Sequence, residues 1–344
     1  MEFIYLTYIL LIIFALYSVF ARNLKRAIVG SSVFGLWVSV AYMLYHAPDV
    51  ALAEAVISSA LVTILYVVTI KNYDDISAGK LSVSWRGLAT FLIVVTSFLL
   101  MVYFTYTSTP FTNSRLGMMV MESSFAQGME VNPVTGIVLN YRAFDTIFEA
   151  LLLLISGIGV VHLVNSAKAK ATSPVYQDDP WHETPDFGAA NKYNNYVQKI
   201  KQAAQGASSD RSITLRYKKH PSAVMAVTFM FPILILLSIY LIISDPITPG
   251  GGFQGGALLS ATFVSHYLIM PDHPVSVKFL NSFEKYLFLV LVAVISTYIL
   301  LGAINWFPNL YVAYFILADA LLGVKVFCGL SIMFICFARE HNKV

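Results

Sequence analysis

Charged residues are scarce in this sequence. They make up 12% of its 344 residues, whereas 58% are hydrophobic. Soluble proteins carry charge at about a quarter of their positions, so these few charges could not cover the surface of a soluble globule of this length. The formal net charge of +3 is small, and the basic residues lie beside apolar runs, which argues against nucleic-acid binding. The composition predicts an all-α polytopic membrane protein.

Cysteine is scarce as well. The two cysteines, Cys328 and Cys336, both lie in the last apolar run, where they form neither a disulfide framework nor a metal-ligand pattern. Paired histidines at haem-ligand spacing are also missing from the sequence. We therefore expect no cofactor, no resident metal and no catalytic centre on this chain, while transient binding of Na⁺ stays open.

Long apolar runs are plentiful, and each has the length of about 20 residues that crosses the hydrocarbon of a bilayer. The first begins at residue 3 without the basic region of a signal peptide, so we expect a retained helix. About nine spans are predicted, at 3–21, 26–46, 50–70, 87–106, 144–165, 222–243, 252–270, 286–304 and 312–337.

Basic residues fall on one side of these predicted spans. They follow every odd-numbered span, whereas the opposite side holds only Arg115 and Arg142. Loops rich in Lys and Arg stay in the cytoplasm. We therefore expect the N-terminus outside and the C-terminus in the cytoplasm.

The segment 166–220 interrupts the apolar pattern. It is polar, contains Pro174, Pro180 and Pro185, and mixes acidic with basic residues. Such a segment cannot span a membrane, so it is predicted to be a cytoplasmic connector between five helices and four.

Two carboxylates interrupt the third apolar run, HAPDVALAEAVISSALVTILYVV. Asp49 follows Pro48 at the predicted start of a helix, where a carboxylate suits the positive end of the dipole, so a cap and an ion-path role are both open. Glu54 lies about 7 Å further along the helix axis among apolar neighbours, without a basic residue nearby in sequence. Because an unpaired charge in hydrocarbon costs at least ~2.5 kcal/mol, Glu54 is a candidate for an ion or proton path.

A second pair of carboxylates, Asp145 and Glu149, lies in YRAFDTIFEALLLLI. The two are four residues apart and share a helical face, and Arg142 precedes Asp145 by three residues. An ion pair with Arg142 is the simpler account of Asp145. Glu149 lies about a turn deeper in the apolar run and is the better candidate for proton transfer.

The second half of the chain opens with PGGGFQGG. No Lys-Ser or Lys-Thr follows the glycines, so this is not a phosphate loop. Residues four apart lie on one helical face and let another backbone approach closely, which predicts packing roles for Gly251 with Gly255 and for Gly252 with Gly256.

Three further polar residues interrupt the later spans. His266 is either a satisfied polar contact or a proton carrier. Asp319 and Lys325 are six residues apart on the last helix, so they do not pair directly. Lys325 is deep in its span and needs a carboxylate or water, and we hypothesise one intramembrane network that joins it to Glu149, with Glu54 as a further member.

These motifs carry a family resemblance. HAPDVALAEAVISSALVTILYVV and NPVTGIVLNYRAFDTIFEALLLL resemble two small membrane proteins of membrane-bound hydrogenases, MbhD and MbhE, which correspond to the C-terminal extension of the large A subunit of Mrp-type sodium/proton antiporters. PGGGFQGGALLSA and ALLGVKVFCGLSIMF resemble the four-helix Mrp B subunit, also called MnhB. The implied organisation is a three-helix MbhD-like module at 1–80, a two-helix MbhE-like module at 81–165, the connector at 166–220 and an MnhB-like module at 221–344.

The resemblance implies a subunit of a multi-subunit cation/proton antiporter in a prokaryotic cell membrane. Its expected partners are other Mrp-like or hydrogenase-like membrane subunits, the lipid bilayer and, indirectly, a soluble redox arm. The joining of modules that are usually separate, without the large antiporter domain, favours a redox-driven complex by analogy. A non-conducting scaffold and a subunit of a stand-alone Mrp antiporter are the alternatives, whereas unequal halves without inverted repetition argue against an independent secondary transporter.

Overall fold

The computed structural model describes the chain in segments: 2–21, 23–70, 85–107, 115, 118–119, 122, 132–172, 221–269, 276–303 and 311–340. The predicted connector lies outside the described residues from 173 onward.

All regular structure in these segments is helical. The α-helices are α1 (Glu2–Phe20), α2 (Leu24–Leu44), α3 (Pro48–Glu54), α4 (Val62–Ile70), α5 (Trp85–Thr107), α6 (Pro133–Gly136), α7 (Ala143–Thr172), α8 (Pro221–Ser244), α9 (Gly252–Ile269), α10 (Val277–Ala303) and α11 (Tyr311–Glu340). Two π-helical segments, π1 (Ala55–Leu61) and π2 (Ile137–Tyr141), continue α3 and α6.

Every predicted span coincides with a helix, but the spans are not equally apolar. Within the described residues, seven helical stretches are long and apolar enough to cross a membrane. The apolar part of α5, Leu92–Phe104, is shorter, and α9 is rich in glycine, serine and threonine. The chain is therefore a multi-pass helical membrane protein, while the count of nine and the orientation of the termini stay predictions.

Helix starts follow from local sequence. Pro48 occupies the first turn of α3 with Asp49 beside it. Proline is favoured there because it has no backbone donor, and a carboxylate is favoured because it lies at the positive end of the helix dipole. Pro133 opens α6 in the same way, and the side chain of the preceding Asn132 accepts a hydrogen bond from Val134 N.

Helix α11 lies at the centre of the bundle. The rest of the chain buries 61% of the apolar stretch of α11, against 6–22% for the other six stretches that are apolar enough to cross a membrane. It packs against α7, α8, α9, α10 and α4. A helix that is apolar on all sides and buried on most of them is a core helix.

The two halves of the chain share one core. Helix α9 packs against π1 and α3, and α11 packs against α7 and α4. The main apolar cluster combines Val56, Leu139 and Ala150 of the first half with Leu291 and Phe315 of the second. The Tyr314 hydroxyl also donates a hydrogen bond of 2.8 Å to the Leu139 carbonyl. The two halves therefore pack as one bundle.

Candidate functional site

A buried ion pair joins the last two helices. Lys325 Nζ of α11 lies 3.4 Å from Glu284 Oε1 of α10, and both side chains are fully buried. Glu284 Oε2 has no hydrogen-bond partner among the described residues. Removing two charges from water is costly, so a pair this deep stays ionised only through mutual attraction, and its free carboxylate oxygen is available to a proton or a cation.

Glycines on two neighbouring helices make room for the Glu284 carboxylate. A Cβ atom at Gly329 of α11 would lie 2.7 Å from Glu284 Oε1, and one at Gly157 of α7 would lie 3.5 Å from Oε2. The carboxylate is therefore enclosed between the backbones of α7 and α11, and at Gly329 even a methyl group would force it to move.

Glu284 is the residue that the sequence interpretation missed. The predicted span begins at residue 286 and so does not include Glu284, whereas the helix begins at Val277 and the apolar stretch covers Val277–Leu301. Glu284 shares its helical face with Leu291 and Ile295, and all three are fully buried, so this face of α10 points into the core.

Glu149 and Asp145 lie on α7, and both side chains are exposed on the surface of the bundle. Asp145 accepts a hydrogen bond of 2.6 Å from Arg142 Nε, and both side chains are well exposed. The expected pair with Arg142 is thus formed. Glu149 is exposed too, yet it lies close enough to Lys325 for an electrostatic interaction. The direct partner of Lys325 is therefore Glu284, and Glu149 interacts with Lys325 from the edge of the bundle.

Glu54 and His266 lie apart from this pair. Glu54 is half-buried at the last position of α3, immediately before π1, and it has no ion-pair or hydrogen-bond partner among the described residues. A π segment is uncommon and is often found at functional sites. The His266 ring of α9 packs on Phe231, with 4.3 Å between ring centroids.

A turn of three glycines, Gly250 to Gly252, connects three parts of the chain. Gly250 N donates a hydrogen bond of 3.0 Å to Asp49 Oδ1 of α3, and Gly252 N donates one of 3.1 Å to Asp319 Oδ1 of α11. Asp49 therefore does more than favour the start of α3, because its side chain forms a hydrogen bond with the second half of the chain.

The glycines of α9 permit close backbone contact. A Cβ atom at Gly252 would collide with the Asp319 carbonyl, and one at Gly256 would collide with the Gly323 carbonyl. At Gly255 it would lie 2.8 Å from the Ser238 carbonyl of α8. Gly251 differs, because it precedes the helix and has φ of +131°, a conformation that favours glycine.

Asp245, at the end of α8, is a second residue that sequence reasoning missed. It is buried, and its backbone carbonyl accepts hydrogen bonds from Asn132 Nδ2 at 3.0 Å and Thr135 Oγ1 at 3.1 Å. Among the described residues, no group of three or more His, Cys, Asp or Glu side chains is placed to hold a metal ion.

Two family models match the chain. Residues 9–75 match MbhD, the D component of MBH, and residues 223–337 match a domain related to the MnhB subunit of Na⁺/H⁺ antiporters. The chain is therefore a fusion of a segment that matches MbhD with a segment that matches the MnhB-related domain. The resemblance to the Mrp-type family that the sequence motifs indicated is thereby confirmed.

Relatives match part of this fusion. Subunit A1 of a Na⁺/H⁺ antiporter from Staphylococcus haemolyticus is 27% identical over 176 residues, which cover 50% of this chain and 21% of that subunit. An uncharacterized protein of Methanocaldococcus jannaschii is 29% identical over 135 residues, covering 39% of this chain and 42% of that protein. The fusion thus spans about a fifth of the length of the antiporter subunit that it matches.

The fold has a solved counterpart. A chain in the structure of the Mrp complex from Dietzia sp. DQ12-45-1b superposes with a TM-score of 0.65 and 16% identity, covering 97% of this fusion and 34% of that chain. At this identity the likeness concerns the fold. It extends over 97% of the chain.

Proposed function

We propose that the fusion is a membrane subunit of a multi-subunit antiporter module that exchanges Na⁺ and H⁺ and assembles with other Mrp-type membrane subunits. The MnhB-related and MbhD segments support this assignment, as does the A1 subunit relative. The chain itself carries ions or supports their passage, without chemistry on a cofactor.

The observation that carries the proposal is the buried pair of Lys325 and Glu284, with Glu149 near enough to Lys325 for an electrostatic interaction. Ionisable side chains inside a membrane are costly and typically mark ion pathways or proton relays. Glu149 is exposed on the chain surface, so a neighbouring subunit or water must meet it there. In this proposal Glu149 exchanges a proton or cation with that neighbour, and Lys325 and Glu284 respond to the change of charge.

The remaining candidates are weaker than Glu149. Glu54 offers a carboxylate at the start of π1, and Asp49 and Asp319 lie at the glycine turn. Asp145 is paired with Arg142, and His266 is stacked on Phe231. These two are therefore weaker candidates than Glu54.

The finer setting is a redox-driven assembly of the hydrogenase type in a prokaryotic cell membrane. Its support is the MbhD segment at residues 9–75, joined here to an MnhB-related segment. Affinity purification of the tagged chain in mild detergent, followed by identification of co-purifying subunits, tests this setting. Recovery of Mrp subunits without a redox enzyme would favour the stand-alone antiporter.

The test of the function is sodium-dependent proton transport by the assembled complex in inverted membrane vesicles. Glu149→Gln should reduce transport at least tenfold with the complex still assembled, because the exposed carboxylate is lost without any packing change. Asp145→Asn is the matched control, since Asp145 lies one turn earlier on the same helix and is also exposed. It should retain most of the transport.

A scaffold that carries no ions predicts a different outcome. Glu149→Gln and Glu54→Gln complexes would then both transport at the level of the unmodified complex. That result would remove the ion path from this chain and leave it a structural role.

A further inference from the structure

Three carboxylates from three different parts of the chain meet at the glycine turn. Asp49 comes from the start of α3, Asp245 directly follows α8, and Asp319 comes from the first third of α11. Asp49 and Asp319 each accept a hydrogen bond from the turn, through Gly250 N and Gly252 N. Asp245 Oδ1 lies beside Gly251, 3.4 Å from the position of a Cβ atom there.

Asp245 and Asp319 form the buried part of this group. Their exposures are 6% and 3%, and they border adjacent residues of the turn, Asp245 beside Gly251 and Asp319 bonded to Gly252 N, close enough for an electrostatic interaction. Asp319 Oδ1 is satisfied by Gly252, but its other oxygen, Oδ2, is buried and has no donor among the described residues. Two ionised carboxylates are both acceptors, so neither satisfies the other unless one of them holds a proton.

The surroundings favour that proton. Four groups act on the pair: the Asp49 carboxyl of α3, the Thr135 hydroxyl of α6, the Gly252 amide of α9 and the Tyr314 hydroxyl of α11. The Tyr314 ring stacks on the Tyr298 ring of α10. None of these described groups is cationic. Burial, together with the nearby Asp49 carboxyl, raises the pKa of Asp245, which lies outside the membrane-spanning stretches.

We propose that Asp245 and Asp319 are a proton-binding site in which the two carboxyl groups share one proton. The site is separate from the Lys325 and Glu284 pair, since Asp319 lies about 9 Å along α11 from Lys325. It does not depend on the proposed transport function, because two buried carboxyl groups in contact bind a proton whether or not the chain carries ions.

Loss of the proton has a structural consequence. Two negative charges would then be buried together, with the Asp49 carboxyl nearby, at the turn that connects α3, α9 and α11. The folded state keeps a proton that the unfolded state releases once the pH exceeds the ordinary pKa of an aspartate side chain. Raising the pH through the titration of the pair should therefore lower the stability of the bundle.

The test uses the full chain in lipid nanodiscs. Infrared difference spectra between the unmodified chain and each of Asp319→Asn and Asp245→Asn, recorded at neutral pH, should contain the C=O band of a protonated carboxyl group. Asp145→Asn is the control, because that side chain is exposed and bound to Arg142. Its difference spectrum should lack the band.

Thermal unfolding gives the second readout. The melting temperature of the unmodified chain should decrease as the pH is raised from mildly acidic to alkaline. This decrease should be smaller in Asp319→Asn, because the amide of the new side chain donates a hydrogen bond to Asp245 and carries no proton that titrates. Asp245→Asn should behave in the same way if Asp319→Asn does not fold.

Three results would overturn the proposal. The protonated carboxyl band could be missing from both difference spectra, or both variants could retain the full pH dependence of the melting temperature. Loss of the band on addition of Na⁺ at constant pH, in the unmodified chain, would identify a cation site instead.

Discussion

The Lys325 side chain illustrates how much one buried charge depends on its partner. It is fully buried in α11, and its only ion-pair partner among the described residues is Glu284. Replacing a buried pair by apolar residues is often neutral, whereas removing one partner strands the other and costs about 3–5 kcal/mol. The pair therefore adds little stability beyond what apolar residues would give, which accords with the proposed role in ion transfer.

Lys325→Met should lower the free energy of unfolding by about 3–5 kcal/mol, because Glu284 is left buried without its cation. Glu284→Gln should cost a similar amount, since the ammonium group is then unpaired. The double variant should cost much less than the sum, because both charges are gone. Equilibrium unfolding in detergent micelles measures all three, and strictly additive losses would show that the two side chains are not coupled.

Sequence reasoning located Lys325 but not its partner. A lysine inside an apolar run is conspicuous, whereas Glu284 is followed directly by Lys285 and lies near the start of its helix, outside the predicted span. The distinction depends on which helical face becomes buried, and only the packing of α10 against α11 and α7 decides that. The contacts of Asp49 and Asp245 with distant segments were likewise beyond the reach of the sequence.

At the scale of elements, α9 shows why small residues are concentrated in one helix. Its glycines bring its backbone against those of α8 and α11, where side chains on both helices would keep the helices apart. Helices in a membrane gain little from hydrophobic burial against each other, so close van der Waals contact stabilises their association. The PGGGFQGG motif predicted this packing, but not the sharp turn at Gly251.

Gly256→Ala should destabilise the bundle by about 1–3 kcal/mol, because the new methyl group collides with the backbone carbonyl of Gly323. Gly159→Ala is the matched control on α7. A Cβ atom at Gly159 meets nothing within 4 Å, so this change should be neutral or stabilise by up to about 1 kcal/mol through helix propensity. Thermal melting of both variants, side by side, measures the difference. Equal melting temperatures would contradict the close contact of α9 with α11.

The π segments were not predictable from the sequence. A π segment adds one residue to a helical turn, and in a soluble amphipathic helix this residue shifts the apolar stripe around the helix. These runs are apolar on nearly every side, so no such shift is visible in their sequence. The expected third span at 50–70 was therefore found as a helix, while the change of winding at Ala55 left no trace in its pattern. Helix positions follow from composition, and their internal geometry follows from packing.

At the scale of the whole molecule, the pattern of basic residues makes a definite prediction about orientation. A cysteine introduced at Ser209, in the connector, should resist an impermeant thiol reagent in intact cells and react after the membrane is opened. The two native cysteines are buried, so they should add little background. Labelling in intact cells would place the connector outside and reverse the predicted topology.

The shared core predicts that the two halves remain associated after the chain is cut. A specific protease site introduced at Ser209 should give two fragments that co-purify in mild detergent, because α9 packs on π1 and α11 packs on α7. Asp49→Ala, which removes the bond to Gly250, should weaken but not abolish this association. Quantitative separation of the fragments of the otherwise unmodified chain would show that the interface does not hold without the connector.

The bond between Asp49 and Gly250 also has a meaning for assembly. Its two ends belong to the MbhD and MnhB-related segments, which one polypeptide here supplies in a fixed one-to-one ratio. Tethering makes their encounter intramolecular, so it no longer depends on the concentrations of two separate proteins. An interface formed under those conditions tolerates losses of affinity that would dissociate two independent subunits. The covalent connection therefore leaves this contact surface freer to change its residues than the same surface between separate proteins.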